Sequence, residues 1–315
     1  MLKTKAIRKI FVTTLSLFIL LVVYSIPNTI NNNVLRTNLE VENTTGLYTN
    51  NIYLLNNDNY LVKAKILLDS KKIEDKIKKI ISNLTISKSS KFSNDLKAII
   101  PKDTKLLNMS INNKIVTLNF SSEFLNMKVD KEKQIISGLV YSILDLDDID
   151  GVIILVNNKV LDKYPNTKEE LPKILDKKIG INKEYNLSSR DNINKVVIYY
   201  INKSGNNNYY VPVTKYVNDS RDKIKIIVEE LTTSYIYENN LMSFLNSNTR
   251  LINYREQENI MFLNFNKYLF DGNSKVMEEV LYTISYSVFD NYDVNQVMFQ
   301  VDGKNINTVG RKDLK

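Results

Sequence analysis

The sequence predicts an α+β fold: two tandem copies of a two-layer domain of sheet plus helices, set behind an N-terminal membrane helix. Three observations carry that expectation. Val116 to Leu125 reads VTLNFSSEFL and Met261 to Phe270 reads MFLNFNKYLF, both alternating apolar and polar residues around Leu-Asn-Phe. Apolar stripes at helical spacing recur together with those strands. Finally, Ile10 to Ile26, IFVTTLSLFILLVVYSI, carries no charge over 17 residues.

That apolar run comes first in the chain. As a helix it would rise about 25 Å, at the short end of what spans a bilayer. Lys3, Lys5, Arg8 and Lys9 precede it, and the positive-inside rule keeps them cytoplasmic and sends the remainder outside. The run exceeds the usual apolar core of a cleaved signal, and no Ala-x-Ala site follows, although Val23-Tyr24-Ser25 imitates one. Residues 1–28 therefore read as a basic stub and single-pass anchor in the cell membrane. Secretion after signal cleavage is the alternative. Residues 29–46, rich in Asn and Thr, read as a tether.

Two units follow, at 47–161 and 195–315. Each opens with a strand, Ile52–Leu55 or Val196–Ile201, and a second strand after an Asn-rich turn. Ile77, Ile80, Ile81 and Leu84 then lie at i, i+3, i+4 and i+7, as do Ile224, Ile227, Val228 and Leu231. This is the stripe of a helix packed on one side. Lys105-Leu106 and Arg250-Leu251, 145 residues apart, lead into the recurring strands, with Asn112-Asn113 supplying a hairpin turn. Ile135, Leu139 and Ile143 mark a second helix. Its counterpart is read over Val276, Val280, Ile284 and Val288, which aligns Tyr141 with Tyr282. Gly151–Val156 and Gln296–Val301 close the units. Each unit thus runs strand, strand, helix, strand, strand, helix, strand, and one sheet with helices on one face would bury both stripes. Residues 162–194, with Pro165, Pro172 and many charges, read as a connector holding one short helix.

Composition restricts the chemistry. The chain of 315 residues is 43% hydrophobic and 25% charged, which suits globular domains. It has no His and no Cys, which removes Ser-His and Cys-His nucleophilic machinery, disulfides, and ordinary zinc or haem sites. Half of the formal +8 charge sits before the apolar run, leaving too diffuse a field to argue for nucleic acid. Ser220-Arg-Asp-Lys223 matches a Ser-x-x-Lys nucleophile pattern without its companion motifs, and Ser220 reads instead as a helix N-cap. Asp145, Asp147, Asp148 and Asp150 crowd before Gly151, but the sixth and twelfth positions of a calcium loop would fall on Asp150 and Val156, so a solvated turn is the better account. Glu229-Glu230 and Glu278-Glu279 are adjacent on helices and point apart, as solvated faces do. Eight glycines leave little room for a phosphate loop. The sequons at Asn43 and Asn119 reflect the abundance of Asn. Tyr141 and Tyr282 read as core or core-edge packing. No catalytic, cofactor-binding or metal-binding residue is assigned, and no cofactor is expected.

The stretches IPKDTKLLNMSINNKIVTLNFSSEFL (Ile100–Leu125) and GLVYSILDLDDIDGVIILVNNK (Gly138–Lys159) resemble the GerM domain of sporulation and spore germination. The shared pattern is a Pro-x-x-Thr lead-in, a strand ending in Asn-Phe-Ser, an apolar helix with Tyr-Thr, and a strand closing on Val-Asp-Gly. The second unit has Tyr282-Thr283 and Val301-Asp302-Gly303, with Asn246 in place of the lead-in proline. The first keeps Pro101 and has Asn157-Asn158 in place of Asp-Gly. Both lack the Gly-Pro that often follows the first helix, with Thr85-Ile86 and Thr232-Thr233 standing there. Leu171 to Asn186 resembles the segment that joins two such domains.

The resemblance implies a ring-building-motif-like fold and a non-enzymatic, extracytoplasmic envelope protein. Its implied partners are other envelope or sporulation-channel proteins, or further copies of itself in a ring or oligomer, with the membrane engaged through residues 10–26. Peptidoglycan bound through exposed tyrosines such as Tyr209-Tyr210 is the alternative, and nucleic acid is not expected. Family members are often lipid-anchored through a cysteine. This chain has none, so the anchor falls to the apolar run. N-terminal sequencing of the membrane fraction tests that reading: the first 26 residues are expected to be retained, and a mature chain beginning near Ile26 would overturn it.

Overall fold

The computed structural model describes residues 48–87, 92–204, 207–233, 240–272 and 275–314. The expected membrane helix at 10–26, the tether and Asn43 lie outside the described residues. Among those described, no helix is long and apolar enough to cross a membrane.

The first module contains β1 (Tyr48–Asn56), β2 (Leu61–Leu68), α1 (Ile73–Leu84), β3 (Leu96–Lys97), β4 (Leu106–Asn112), β5 (Ile115–Phe120), α2 (Glu132–Ile143), β6 (Gly151–Val156) and β7 (Lys159–Val160). After a 3₁₀ turn at Lys177–Ile179 and β8 (Glu184–Asn186), the order repeats. The second module contains β9 (Asn194–Ser204), β10 (Asn207–Val217), α3 (Lys223–Thr233), β11 (Leu241–Met242), β12 (Leu251–Gln257), β13 (Ile260–Phe265), α4 (Glu278–Asn291), β14 (Gln296–Val301) and β15 (Lys304–Gly310). The predicted strands and helices occur in their predicted order in both copies, with further strands β3 and β11 after the first helix and β7 and β15 at the end of each module.

The single sheet expected per module does not. Each module has two sheets, β2-β1-β3 and β4-β5-β6-β7 in the first, β11-β9-β10-β8 and β12-β13-β14-β15 in the second. Burial supplies the reason. Ile52, Tyr53 and Leu54 of β1 are all buried, as is every residue from Val196 to Asn202 of β9. A strand on an open sheet covered on one side would alternate. These two strands are covered on both faces, so they cannot share one half-wet sheet with β4–β7 or β12–β15.

The remaining sheets follow local rules. β4 and β5 form an antiparallel hairpin whose turn residues, Asn113 and Lys114, have φ of 48° and 60°, and Glu258 and Asn259 repeat the turn at 51° and 60°. Positive φ at both central positions gives the turn whose twist matches paired strands. β5 and β6 are parallel, as are β13 and β14, so each pair needs a crossover, which α2 and α4 supply. Alternation turns Val116, Leu118 and Phe120 inward, and Met261, Leu263 and Phe265 likewise. The α1 and α3 stripes are buried throughout.

Two expectations need correcting. α3 begins at Lys223, and the Asp222 carboxylate accepts from the Ile224 N–H at 3.4 Å, so Asp222 sits at the helix start and Ser220 lies upstream of it. The second-helix alignment is also one turn out. Ser142 Oγ accepts from the Tyr53 N–H at 2.8 Å, and Ser287 Oγ accepts from the Tyr199 N–H at 2.9 Å. Tyr141 therefore corresponds to Tyr286, not Tyr282. An apolar stripe repeats nearly every turn, so sliding it by four residues leaves its pattern intact.

Phe120 is fully buried and stacks on Phe124, with ring centroids 4.5 Å apart. Phe120→Ala is expected to cost about 3–5 kcal/mol, from lost transfer energy plus the cavity left behind. Urea unfolding of the variant against the parent measures it.

Candidate functional site

The two modules meet along a polar junction built from their opening strands. Asn56 Nδ2 donates to Asn202 Oδ1 at 2.8 Å, and the hydroxyls of Tyr53 and Tyr199 lie 3.5 Å apart. These are equivalent residues of β1 and β9, so the contact is of the kind that self-complementary surfaces make at a twofold axis. Asp58 extends it, accepting from Asn202 Nδ2 at 2.8 Å and Asn240 Nδ2 at 3.2 Å. At another point Asp95 accepts from the Tyr209 hydroxyl at 2.9 Å. Val62, from β2, is buried in the core of the second module.

A charge lies inside the junction. Asp290, at the end of α4, has a side chain only 8% exposed. It accepts from Tyr199 Oη at 2.7 Å and from Lys177 Nζ at 2.6 Å, and the Lys63 ammonium sits over the Tyr286 ring at 4.1 Å. Burial alone would push the Asp290 carboxyl up. The Lys177 and Lys63 charges, with the hydrogen bonds from Lys177 and Tyr199, outweigh burial and hold it below the ordinary carboxylate range. Burial first, and then the nearby Asp290 charge, pushes the Tyr53 and Tyr199 hydroxyls well above their usual values. Both phenols stay neutral and can serve as donors.

The connector joins this junction at several points. Glu132, fully buried at the start of α2, accepts from the Asn166 N–H at 2.6 Å, Asn166 Nδ2 at 3.0 Å and the Thr167 N–H at 3.0 Å. Burial pulls its carboxyl up, but these bonds win and leave it lowered. Leu171, Leu175 and Ile181 sit in the first core. The Lys177 carbonyl accepts from Tyr141 Oη at 3.1 Å. Asn182 bridges the modules: its Oδ1 accepts from the Leu61 N–H at 3.0 Å, and its Nδ2 donates to the carbonyls of Leu61 and Pro212, both at 2.8 Å. β8 then pairs in parallel with β10.

The other residues singled out from the sequence have ordinary partners. Asp145 accepts from the Asn51 backbone at 3.0 Å, and Asp150 lies 3.7 Å from Lys114. No acidic cluster with metal-binding geometry occurs among the described residues. Glu229 pairs with Arg221 at 2.6 Å, while Glu230 takes Lys215 at 2.5 Å, so adjacent carboxylates do point to different partners. Tyr209 and Tyr210 are only partly exposed. Tyr209 bonds Asp95, and Tyr210 packs 5.3 Å from Tyr286 and 6.1 Å from Tyr282, so they do not form the open aromatic surface expected of them. Lys78 and Lys225 are exposed, off the stripes of their helices.

The family model named Germane, described as sporulation and spore germination, matches residues 51–162 and again 197–307. The chain belongs to the Germane family. It is 26% identical over 273 residues to the spore germination protein GerM of Bacillus subtilis (strain 168), covering 83% of this chain and 74% of that protein. Its fold matches the solved tandem GerMN domains of the sporulation protein GerM from Bacillus subtilis, with a TM-score of 0.77 and 24% identity, over 84% of this chain and 97% of that one.

The Germane signatures prove to be turn and pinning residues. Thr104 Oγ1 donates to the Pro101 carbonyl at 2.7 Å, and the Thr249 N–H donates to the Asn246 carbonyl at 2.8 Å, so the lead-in turn survives the loss of proline. Asn119 Oδ1 accepts from the Asn158 N–H at 3.0 Å, and Asn264 Oδ1 from the Gly303 N–H at 2.9 Å. Asn157-Asn158 has φ of 48° and 66°, and Asp302-Gly303 has 48° and 79°, so the two Germane domains close on the same turn with different residues.

Asp290→Ala removes the acceptor of a buried phenol, and Glu132→Ala that of two backbone N–H groups. Each is expected to cost about 1–3 kcal/mol. Both carboxyls titrate below their unfolded values of about 4, so their stabilisation is complete above that pH and is lost as the pH falls through the lower folded values. Thermal unfolding between pH 5 and 3 is expected to fall more steeply for the parent than for Asp290→Asn or Glu132→Gln.

Proposed function

We propose that this Germane protein is a non-enzymatic, membrane-tethered extracytoplasmic component of sporulation or germination that works by assembling into or onto an envelope complex. One observation carries the reading. Leu107 and Ile252 are equivalent residues on β4 and β12, the outermost strands of their sheets, and they are 51% and 53% exposed. Each is the extra residue of a β-bulge, opposite the steps Phe120–Asn119 and Phe265–Asn264. A bulge bends an edge strand and re-aims a side chain, here an aliphatic one into solvent in both copies. Such a paired feature serves no core. Held in fixed relation by the polar junction, the two edges offer one body with two similar contact points, which suits assembly. The names of the relatives point to sporulation and germination, and the apolar run at 10–26 supplies a membrane anchor.

The experiment is cross-linking of the full chain in sporulating cells, followed by identification of what co-purifies. Leu107→Glu with Ile252→Glu is expected to abolish the cross-linked species and impair spore formation or germination. Charge reversal at Lys78 and Lys225 is expected to weaken them in a salt-dependent way, since surface charge is screened beyond about 8 Å at physiological ionic strength. Intact complexes in the Leu107 and Ile252 double variant would overturn the reading. So would hydrolysis of a peptidoglycan fragment lost on a single Asp or Glu substitution.

A second reading, glycan recognition, is favoured by Tyr185. It is 64% exposed and stacks on Tyr216 at 4.8 Å with the rings 11° from parallel, leaving an open aromatic face of the kind that sugars stack on. Co-sedimentation with peptidoglycan that is lost in Tyr185→Ala would support it over assembly.

A further inference from the structure

The first module carries a cleft of about 730 Å³. That volume lies within the range of about 300–1,000 Å³ typical of ligand sites. Its floor is apolar, with Leu55, Ile99, Met127 and Ile135 among its residues. Lys97, Lys102, Lys128 and Lys131 stand along it against a single acidic residue, Asp130. Lys131 is engaged with Asn59 at 2.9 Å, and Lys102 lies 4.0 Å from Asp103. Lys97 and Lys128 are exposed and make no side-chain hydrogen bond or ion pair among the described residues. One wall is β3, which among the described residues is the last strand of its sheet and pairs with β1. An edge strand presents backbone N–H and C=O groups to whatever lies beside it. Gln134, also in the lining, donates through Nε2 to the Asn59 carbonyl at 2.6 Å, which fixes the orientation of its amide and leaves Oε1 buried without a donor.

We propose that this cleft docks an extended acidic peptide segment of a partner protein, which adds as a strand beside β3. The apolar floor takes alternate side chains, the strand edge takes the backbone, and the lysines take carboxylates between the apolar residues. A peptide also brings a backbone N–H donor at every non-proline residue, and Gln134 Oε1 is an acceptor for one of them. This deepens the assembly reading and rests on it, since it names the chemistry of one partner.

The test is fluorescence anisotropy of the full chain in detergent with a labelled decapeptide of alternating Val and Glu, beside a Val-Gln control and vesicles of anionic phosphatidylglycerol. Saturable binding of the Val-Glu peptide is expected, at least tenfold tighter than Val-Gln and weakened by salt. Lys97→Glu with Lys128→Glu, both on exposed positions, is expected to weaken it a further tenfold with circular dichroism unchanged. Lys78→Glu with Lys225→Glu, away from the cleft, is expected to leave it intact. Equal binding of the two peptides, or binding indifferent to Lys97 and Lys128, would overturn the proposal. So would vesicle binding that those substitutions remove while the peptide stays unbound. Cross-linked complexes that depend on Leu107 and Ile252, with no peptide bound, would end the cleft proposal and leave assembly standing.

Discussion

A strand covered on both faces has no water to satisfy its polar side chains, and β1 and β9 are both such strands. Each nevertheless carries asparagine: Asn50, Asn51 and Asn56 in β1 and Asn202 in β9 are all buried. Burying an amide without partners costs several kcal/mol, on the order of 2–7 depending on the reference state. Part of the demand is met across the junction, where Asn56 Nδ2 donates to Asn202 Oδ1 and Asn202 Nδ2 donates to Asp58 and to the Asn240 carbonyl, while Asn56 Oδ1 accepts from the Tyr60 N–H. An apolar contact between the modules would tolerate sliding. This one fixes position, because shifting β1 along β9 by one residue would leave amides and phenols unpaired in a dry interface.

Duplication set up the symmetry, and the junction then broke it. Asp145 and Asp290 are equivalent by position, yet Asp145 receives the Asn51 backbone of its own module, while Asp290 is aimed inward at Tyr199 and the connector lysine. The connector supplies Asp290 with a cation, Lys177. It resembles a structural element more than a linker, with residues in the first core, a strand in the second module's sheet, and Asn182 spanning both.

Much of this was legible in the sequence, and the failures are physical ones. Alternation in VTLNF and MFLNF set the inward faces of β5 and β13, and helical stripes set those of α1 and α3, because periodicity records which side is dry. Periodicity does not record which strands pair, so two sheets were read as one. It also does not distinguish helix positions a turn apart, so Tyr282 and Tyr286 fit the stripe equally well, and the hydrogen bond from the Tyr199 N–H to Ser287 Oγ sets the register. The junction itself was the least visible. Lys177 reads as part of a charged connector and Tyr209 as an exposed aromatic. Their roles come from contacts between segments more than a hundred residues apart. No local pattern encodes that.

The connector's attachment to both modules changes what the peptide bond between them is for. Leu187 to Ile193 is the stretch between β8 and β9, and both of its end residues are exposed. Everything that positions the modules lies outside it: Glu132 with Asn166, Asn182 with Leu61 and Pro212, and Asp290 with Lys177. Scission there would leave the contacts that join the two fragments, such as Asn182 with Pro212 and Asp290 with Lys177, unbroken. The covalent link then governs the order of synthesis and the effective concentration at which the halves first meet, while lasting cohesion belongs to the interface.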